Sequence, residues 1–243
     1  HHLQILLQIH PVFYILTRYE EYSCLITDEH GRFPFEQSIL KSFNWVEQAK
    51  CDRWSELIIQ YSGIDLSLIT RSIEITPTFD IDNTYAYRLK EGKRQFLSKL
   101  KDTFRRDVKR LAERKEVLNG GVDPYDTFSK INEIAKKFKN TKIFWLTGAL
   151  SKFDRNISIE NEKHQELIRE IGQSVEINLH PSYASNSRLE CIEEEKAALE
   201  SVLNKKINSS RQHFLRFRLP LTYQILEEAG FQNEYSMGFA ENV

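Results

Sequence analysis

The segment TPTFDIDNTY, residues 76–85, sets two carboxylates, Asp80 and Asp82, at the end of the apolar run IEITPTF. Side chains two apart on a strand point to the same face. Two acids held that close repel unless a cation lies between them, a basic side chain pairs with them, or one carries a proton. A metal ion, a guanidinium and a catalytic proton are therefore all open at this point. Other reactive groups stand at similar places. His180 closes the run SVEINLH, and Arg211 and His213 lie in KINSSRQHFLRF, after a short β-like stretch. Asp154 and Asn156, in FDRNIS, fall in a loop near the same rim.

Each residue also has a purely structural reading. An Asp after a strand often caps a turn. His180 precedes Pro181 and could bond a backbone carbonyl, while Arg211 could pair with Glu176 or another surface acid. His10, His30 and His164 are expected to be structural or exposed.

The elements that must position these groups follow from periodicity. To about residue 72 the chain reads as mainly helical. VFYILTRYEEY has apolar residues at helical spacing, DEHGRFP is a turn, and WVEQAKCDRWSELIIQYSG is an amphipathic helix stopped near Gly63. IEITPTFDID then predicts a strand. Residues 88–116 form a charged helical region whose Lys and Arg could grip an anion, although a solvated face is the plainer account. DPYDTFSKINEIAKKF predicts a helix with Asp123 as N-cap and Pro124 at its first position. TKIFWLTG predicts a buried strand, NEKHQELIREIG a helix ending at Gly172, and SVEINLH a strand. RLECIEEEKAALESVLN predicts a helix and KINSSRQHFLRF a strand or loop. LTYQILEEAGF predicts a helix closing at Gly230, and NEYSMGFA a last strand.

Strands and helices that alternate in this way imply a parallel sheet wrapped by helices, as an α/β barrel or an open α/β sheet. In both, the working face is at the C-terminal strand ends. Asp80, Asp82, His180 and His213 are all expected there.

The 243 residues are 40% hydrophobic and 28% charged, which fits an ordinary globular protein of one large domain or two smaller ones. The net charge of −1 gives no basic excess, so a nucleic-acid partner is not expected. No apolar run approaches a membrane span. The three cysteines, Cys24, Cys51 and Cys191, form no CxxC pair, and a reducing compartment is the simpler reading. The chain opens HHLQ without Met and closes GFAENV, so either end is open to truncation.

The order TFDID, EINLHPSY, SRQHFLRF and then P-x-T-Y-x-x-L-x-x-A-G resembles the polysaccharide deacetylases of the NodB type, carbohydrate esterase family 4. FYILTRYEEY followed by DEHGRFP is similar to the opening of a bacterial branch that carries an extra N-terminal domain of unknown function. The resemblance implies two parts: that N-terminal domain over residues 1–72, and a distorted (β/α) barrel over 73–243. It implies metal-dependent removal of an acetyl group from an N-acetylated sugar. The family's first motif is TFDDG, base then ligand, so the resemblance makes Asp80 the base and Asp82 the ligand. Ile81 separates the acids here, and the two roles are exchangeable on this basis. The family's second motif, HxxxH, is reduced to His180, because Ala184 stands where the second His would be. His213 is then the candidate for the third ligand, and the divalent metal is expected to be zinc. Arg211 would orient the base or meet the oxyanion, and Tyr183 would line the sugar site. The expected location is cytoplasmic or peripheral to a membrane. Loss of the second His leaves one alternative, a non-catalytic carbohydrate-binding or scaffold protein with a degenerate site.

Overall fold

The computed structural model describes residues 11–240 apart from 66, 68, 69, 71 and 91, so His1, His2 and His10 lie outside the described residues. Before Ile75 the chain is mainly helical, with α1 (11–16), α2 (Ile39–Ser42) and α3 (Lys50–Ser62). The helix expected over VFYILTRYEEY is broken. After α1 the backbone turns left-handed at Arg18, and Tyr19–Tyr22 continues as a 3-10 turn. DEHGRFP is the expected turn. The Asp28 carboxylate accepts the His30 and Arg32 amides, both at 2.9 Å, and Gly31 supplies a φ of 76°. Gly63 ends α3 in the same left-handed conformation.

From Ile75 the chain builds a five-stranded parallel sheet. Its strands are β1 (Thr78–Ile81), β2 (Lys142–Leu146), β3 (Glu176–His180), β4 (Ser209–Ser210) and β5 (Asn233–Glu234), in the order β1-β2-β3-β4-β5. Parallel neighbours need long crossovers. These are α4 (Gly92–Phe104), α5 (Val108–Leu118) and α6 (Phe128–Lys137) after β1, α7 (Glu162–Ile171) after β2, α8 (Leu189–Leu203) after β3 and α9 (Leu221–Glu228) after β4. Among the described residues the strand order never reverses, so they show no switch point. The parallel register puts all the C-terminal strand ends along one edge.

Register also sorts the side chains. Asp80, Phe144 and Asn178 lie level, as do Ile81, Trp145 and Leu179. With a side-chain period of two, Ile81, Ile143, Trp145, Ile177 and Leu179 share one face. That face joins Ile131, Ile168, Ile192 and Leu199 from α6, α7 and α8 in the buried core. Asp80, Phe144, Leu146, Asn178 and His180 belong to the other face.

Four expectations need correction. The charged region is not one helix, because Arg106 turns left-handed and Asp107 then caps α5 by accepting the Arg110 amide. Asp123 does not cap a helix at Pro124. The helix α6 starts only at Phe128, and the buried Asp123 carboxylate instead accepts the amides of Ala86, Tyr87, Arg88 and Tyr125. Long-range donors from the loop after β1 captured it. The first strand is four residues, and Asp82 lies just beyond it. The last strand is only Asn233–Glu234.

The chain divides into two compact units. One runs to Glu74 and includes Phe214–Gln224 and Ser236 onward; the other is Ile75–His213 with Ile225–Tyr235. The first crossing lies close to the expected boundary at 72/73, but the C-terminal pieces group with the N-terminal unit. Contacts inside that unit show why: Arg32 donates to the Phe214 carbonyl and Arg216 to the His30 carbonyl, both at 2.9 Å. Among the described residues no helix is long and apolar enough to cross a membrane.

Candidate metal centre

Three C-terminal strand ends of the sheet-bearing unit bring Asp82, His180 and His213 together. Asp82 follows β1, His180 is the last residue of β3, and His213 follows β4. One ligand atom from each lies within 4.8 Å of the others. Asp82 Oδ1 is 3.1 Å from His180 Nε2 and 3.7 Å from His213 Nε2. Donors about 2.0–2.1 Å from a tetrahedral ion sit roughly 3.4 Å apart, so the spacing suits a small cation.

Both imidazoles are fixed with Nε2 as the turned-in atom. His180 Nδ1 lies 2.5 Å from the Arg211 carbonyl, which can only accept, so Nδ1 carries the proton. His213 Nδ1 lies 2.9 Å from Asp154 Oδ1 and donates there. A second bond that sets tautomer and ring angle is a usual feature of metal-binding histidines. His180 and His213 are buried, whereas the Asp82 side chain is 59% exposed, which leaves the cluster one open side.

The electrostatics follow from the same contacts. The His180 bond holds the Asp82 carboxyl below the usual range, against a smaller effect of burial, and the neighbouring His213 adds to the lowering. Burial alone would push Asp154 up. Bonds from His213, Ser151 and the Tyr183 amide outweigh it and keep Asp154 ionised to lower pH. Asp154 is fully buried, and its carboxylate also accepts the Ala184 amide at 3.3 Å. The backbone at Ala184 thus serves Asp154.

Asp80 stands beside this group on β1. Arg211 Nη1 donates to Asp80 Oδ1 at 2.8 Å, Nη2 to Thr78 Oγ1 at 2.9 Å and Nε to the Tyr235 carbonyl at 3.1 Å. Its guanidinium also lies over the Phe144 ring at 4.6 Å. Arg211 is therefore spent on Asp80 and not on Glu176, which pairs with Lys142. Tyr183 packs against Phe153, with ring centroids 4.2 Å apart. Asn156 is buried and its Nδ2 donates to the Gly148 carbonyl at 2.8 Å.

One supporting group has no counterpart in the sequence reading. Glu195 on α8 accepts the Ser182 amide at 2.9 Å, the Ser182 hydroxyl at 2.6 Å and the Ser185 hydroxyl at 3.3 Å. It clamps the loop that follows His180. Gly148 packs so tightly on Ser182 and Glu195 that any Cβ there would collide with them. Glu195 sits among three consecutive acids on a helix, so only the fold distinguishes it.

Residues 9–61 match a family described as a Family of unknown function (DUF7033). No curated protein and no solved structure matches the chain. The matched segment lies in the N-terminal unit, and the site residues all lie outside it.

Proposed function

We propose that the chain is a metal-dependent hydrolase that removes an acetyl group from an N-acetylated sugar of a glycan or glycan precursor. The carrying observation is that two histidines, each tied through Nδ1, turn Nε2 toward one carboxylate at the spacing a divalent cation requires. One carboxylate and two imidazoles suit zinc and leave room for water and substrate. When bound, such an ion lowers the pKa of water and polarises a carbonyl.

The protein's own groups then have distinct tasks. Asp82, His180 and His213 would hold the ion. Asp80, with Oδ1 bonded to Arg211, offers Oδ2 as the proton acceptor for the attacking water. Arg211 acts as a positioning residue that keeps the base aimed. Tyr183 with Phe153 offers an aromatic surface for the sugar ring. Asp154 orients His213. The unreversed order of parallel strands supports a distorted (β/α) barrel. The three cysteines are unpaired, which supports a reducing, cytoplasmic location.

The test is metal content and acetate release. After reconstitution with zinc, one ion per chain is expected, with acetate freed from N-acetylated oligosaccharides. Asp82→Ala and His180→Ala should lose both and keep the fold. A folded wild type that takes up no zinc, cobalt or manganese would instead favour the carbohydrate-binding alternative.

A further inference from the structure

We infer that the cleft flanked by α4 and α5 is a subsite for an anionic group, phosphate or carboxylate, on the substrate whose amide is presented at the Asp82 cluster. This rests on the reading of that cluster as a deacetylase site. The cleft measures about 600 Å³ and is lined by Lys90, Lys101, Arg105, Arg110 and Arg155. One acid lines it, Asp102, and that carboxylate is already taken: it is buried and ion-paired with the equally buried Arg114 and, at 3.7 Å, with the wall residue Arg110. Five cations against one neutralised acid is a local excess in a chain whose net charge is −1. Such a concentration of one sign in a concave site attracts ligands of the other.

Position and shape point the same way. The wall includes Asn83 and Arg155, each one residue after a member of the candidate centre, Asp82 and Asp154. The cleft wall is thus continuous along the chain with Asp82 and with Asp154, the partner of His213. Leu97 and Tyr125, 59% and 52% exposed, line the same cleft and give a sugar ring an apolar surface. Lys101, in the last turn of α4, and Arg105, just past its end, are four residues apart, and the Arg105 amide bonds the Lys101 carbonyl at 3.0 Å. The basic stretch at 88–116 therefore concentrates part of its charge on one concave site, where a uniformly solvated helix face would spread it.

The experiment is calorimetric titration in low salt, without added metal. One probe is inorganic tripolyphosphate and the other an oligogalacturonate, so that phosphate and carboxylate sources are told apart. Wild type should bind one or both, and the exposed-site variant K101E/R105E should bind roughly tenfold or more weakly. The control K205E/K206E makes the same change in net charge at the opposite strand ends and should stay within about twofold of wild type. Circular dichroism and zinc content should match wild type in both variants. Absence of binding by wild type, no effect of K101E/R105E, or an equal loss in K205E/K206E would each overturn the inference. A second arm compares acetate release from neutral and anionic N-acetylated oligosaccharides of equal length. Wild type should prefer the anionic one and K101E/R105E should not, and equal wild-type rates would overturn the link to substrate. Release from neither substrate would sink the deacetylase reading, with calorimetry still deciding the anion site.

Discussion

The two faces of the sheet each bury histidine, and they use it in opposite ways. On the helix-packed face, His164 of α7 is fully buried and both its nitrogens are used inside the protein. Nδ1 donates to the Ser158 carbonyl at 3.1 Å, while Nε2 receives the Trp145 indole N–H at 3.2 Å and lies 2.8 Å from Thr84 Oγ1. On the other face, His180 and His213 are almost as buried, and each fixes Nδ1 on an acceptor, the Arg211 carbonyl and the Asp154 carboxylate. Their second nitrogens meet at the partly exposed Asp82. Burial of an imidazole therefore says little about function. The informative feature is whether the second nitrogen ends on protein or on a shared, open point.

The strongest way to break the comparison is to damage the closed face and watch the open one. Trp145→Ala removes a fully buried ring that stacks on Phe128 at 5.5 Å and bonds His164. It should cost about 3–5 kcal/mol in urea unfolding. If the two faces are separable in role, the folded fraction should still bind zinc with one ion per chain. Loss of zinc from folded protein would mean that the core face sets the ligand geometry.

Next in size is His213→Ala on the open face. It should abolish stoichiometric zinc while moving the urea midpoint far less than Trp145→Ala. A smaller effect is expected of Asp154→Asn. Asparagine can still accept from His213 Nδ1, but the charge is lost. Zinc affinity should fall about 10–100-fold with the fold kept. An unchanged affinity would make Asp154 a brace for the Tyr183 and Ala184 amides and nothing more.

The same contrast explains what the sequence could and could not show. The apolar run KIFWL needs no partner to be recognised as a buried strand, and its neighbours EINL and TFDI are nearly as clear. Those strands alone put Asp80, Asp82 and His180 on one edge. The two-residue strands β4 and β5 are too short for any alternation to register, so His213 could be placed only loosely. Asp123-Pro124 has the chemistry of a helix start, and only the distant amides of residues 86–88 reveal that its carboxylate is used elsewhere. Asp154 sits in the loop after β2, which marks it as near the rim, whereas its bond to His213 depends on a contact 59 positions along the chain. Local pattern thus placed Asp80, Asp82 and His180 along one rim and left open what Asp154 bonds, because that contact is a long-range property.

The smallest expected effect concerns protonation of the closed histidine. Burial lowers the pKa of His164 from its ordinary 6.5, and the Ser158 bond only partly opposes this. The folded state therefore favours the neutral ring, and the unfolded chain binds a proton more readily. Stability from this group is fully present above the unfolded value and declines as pH falls below about 6.5 toward the folded pKa. Wild type should thus lose more stability between pH 7.5 and pH 5 than His164→Gln, whose amide can still form polar contacts but has no proton to gain. The measurement is the change in urea midpoint over that interval for the two proteins, with zinc removed so that His180 and His213 contribute alike to both. Equal changes would show that His164 opens to solvent on protonation at little cost, and the distinction between closed and open imidazoles would then be one of degree.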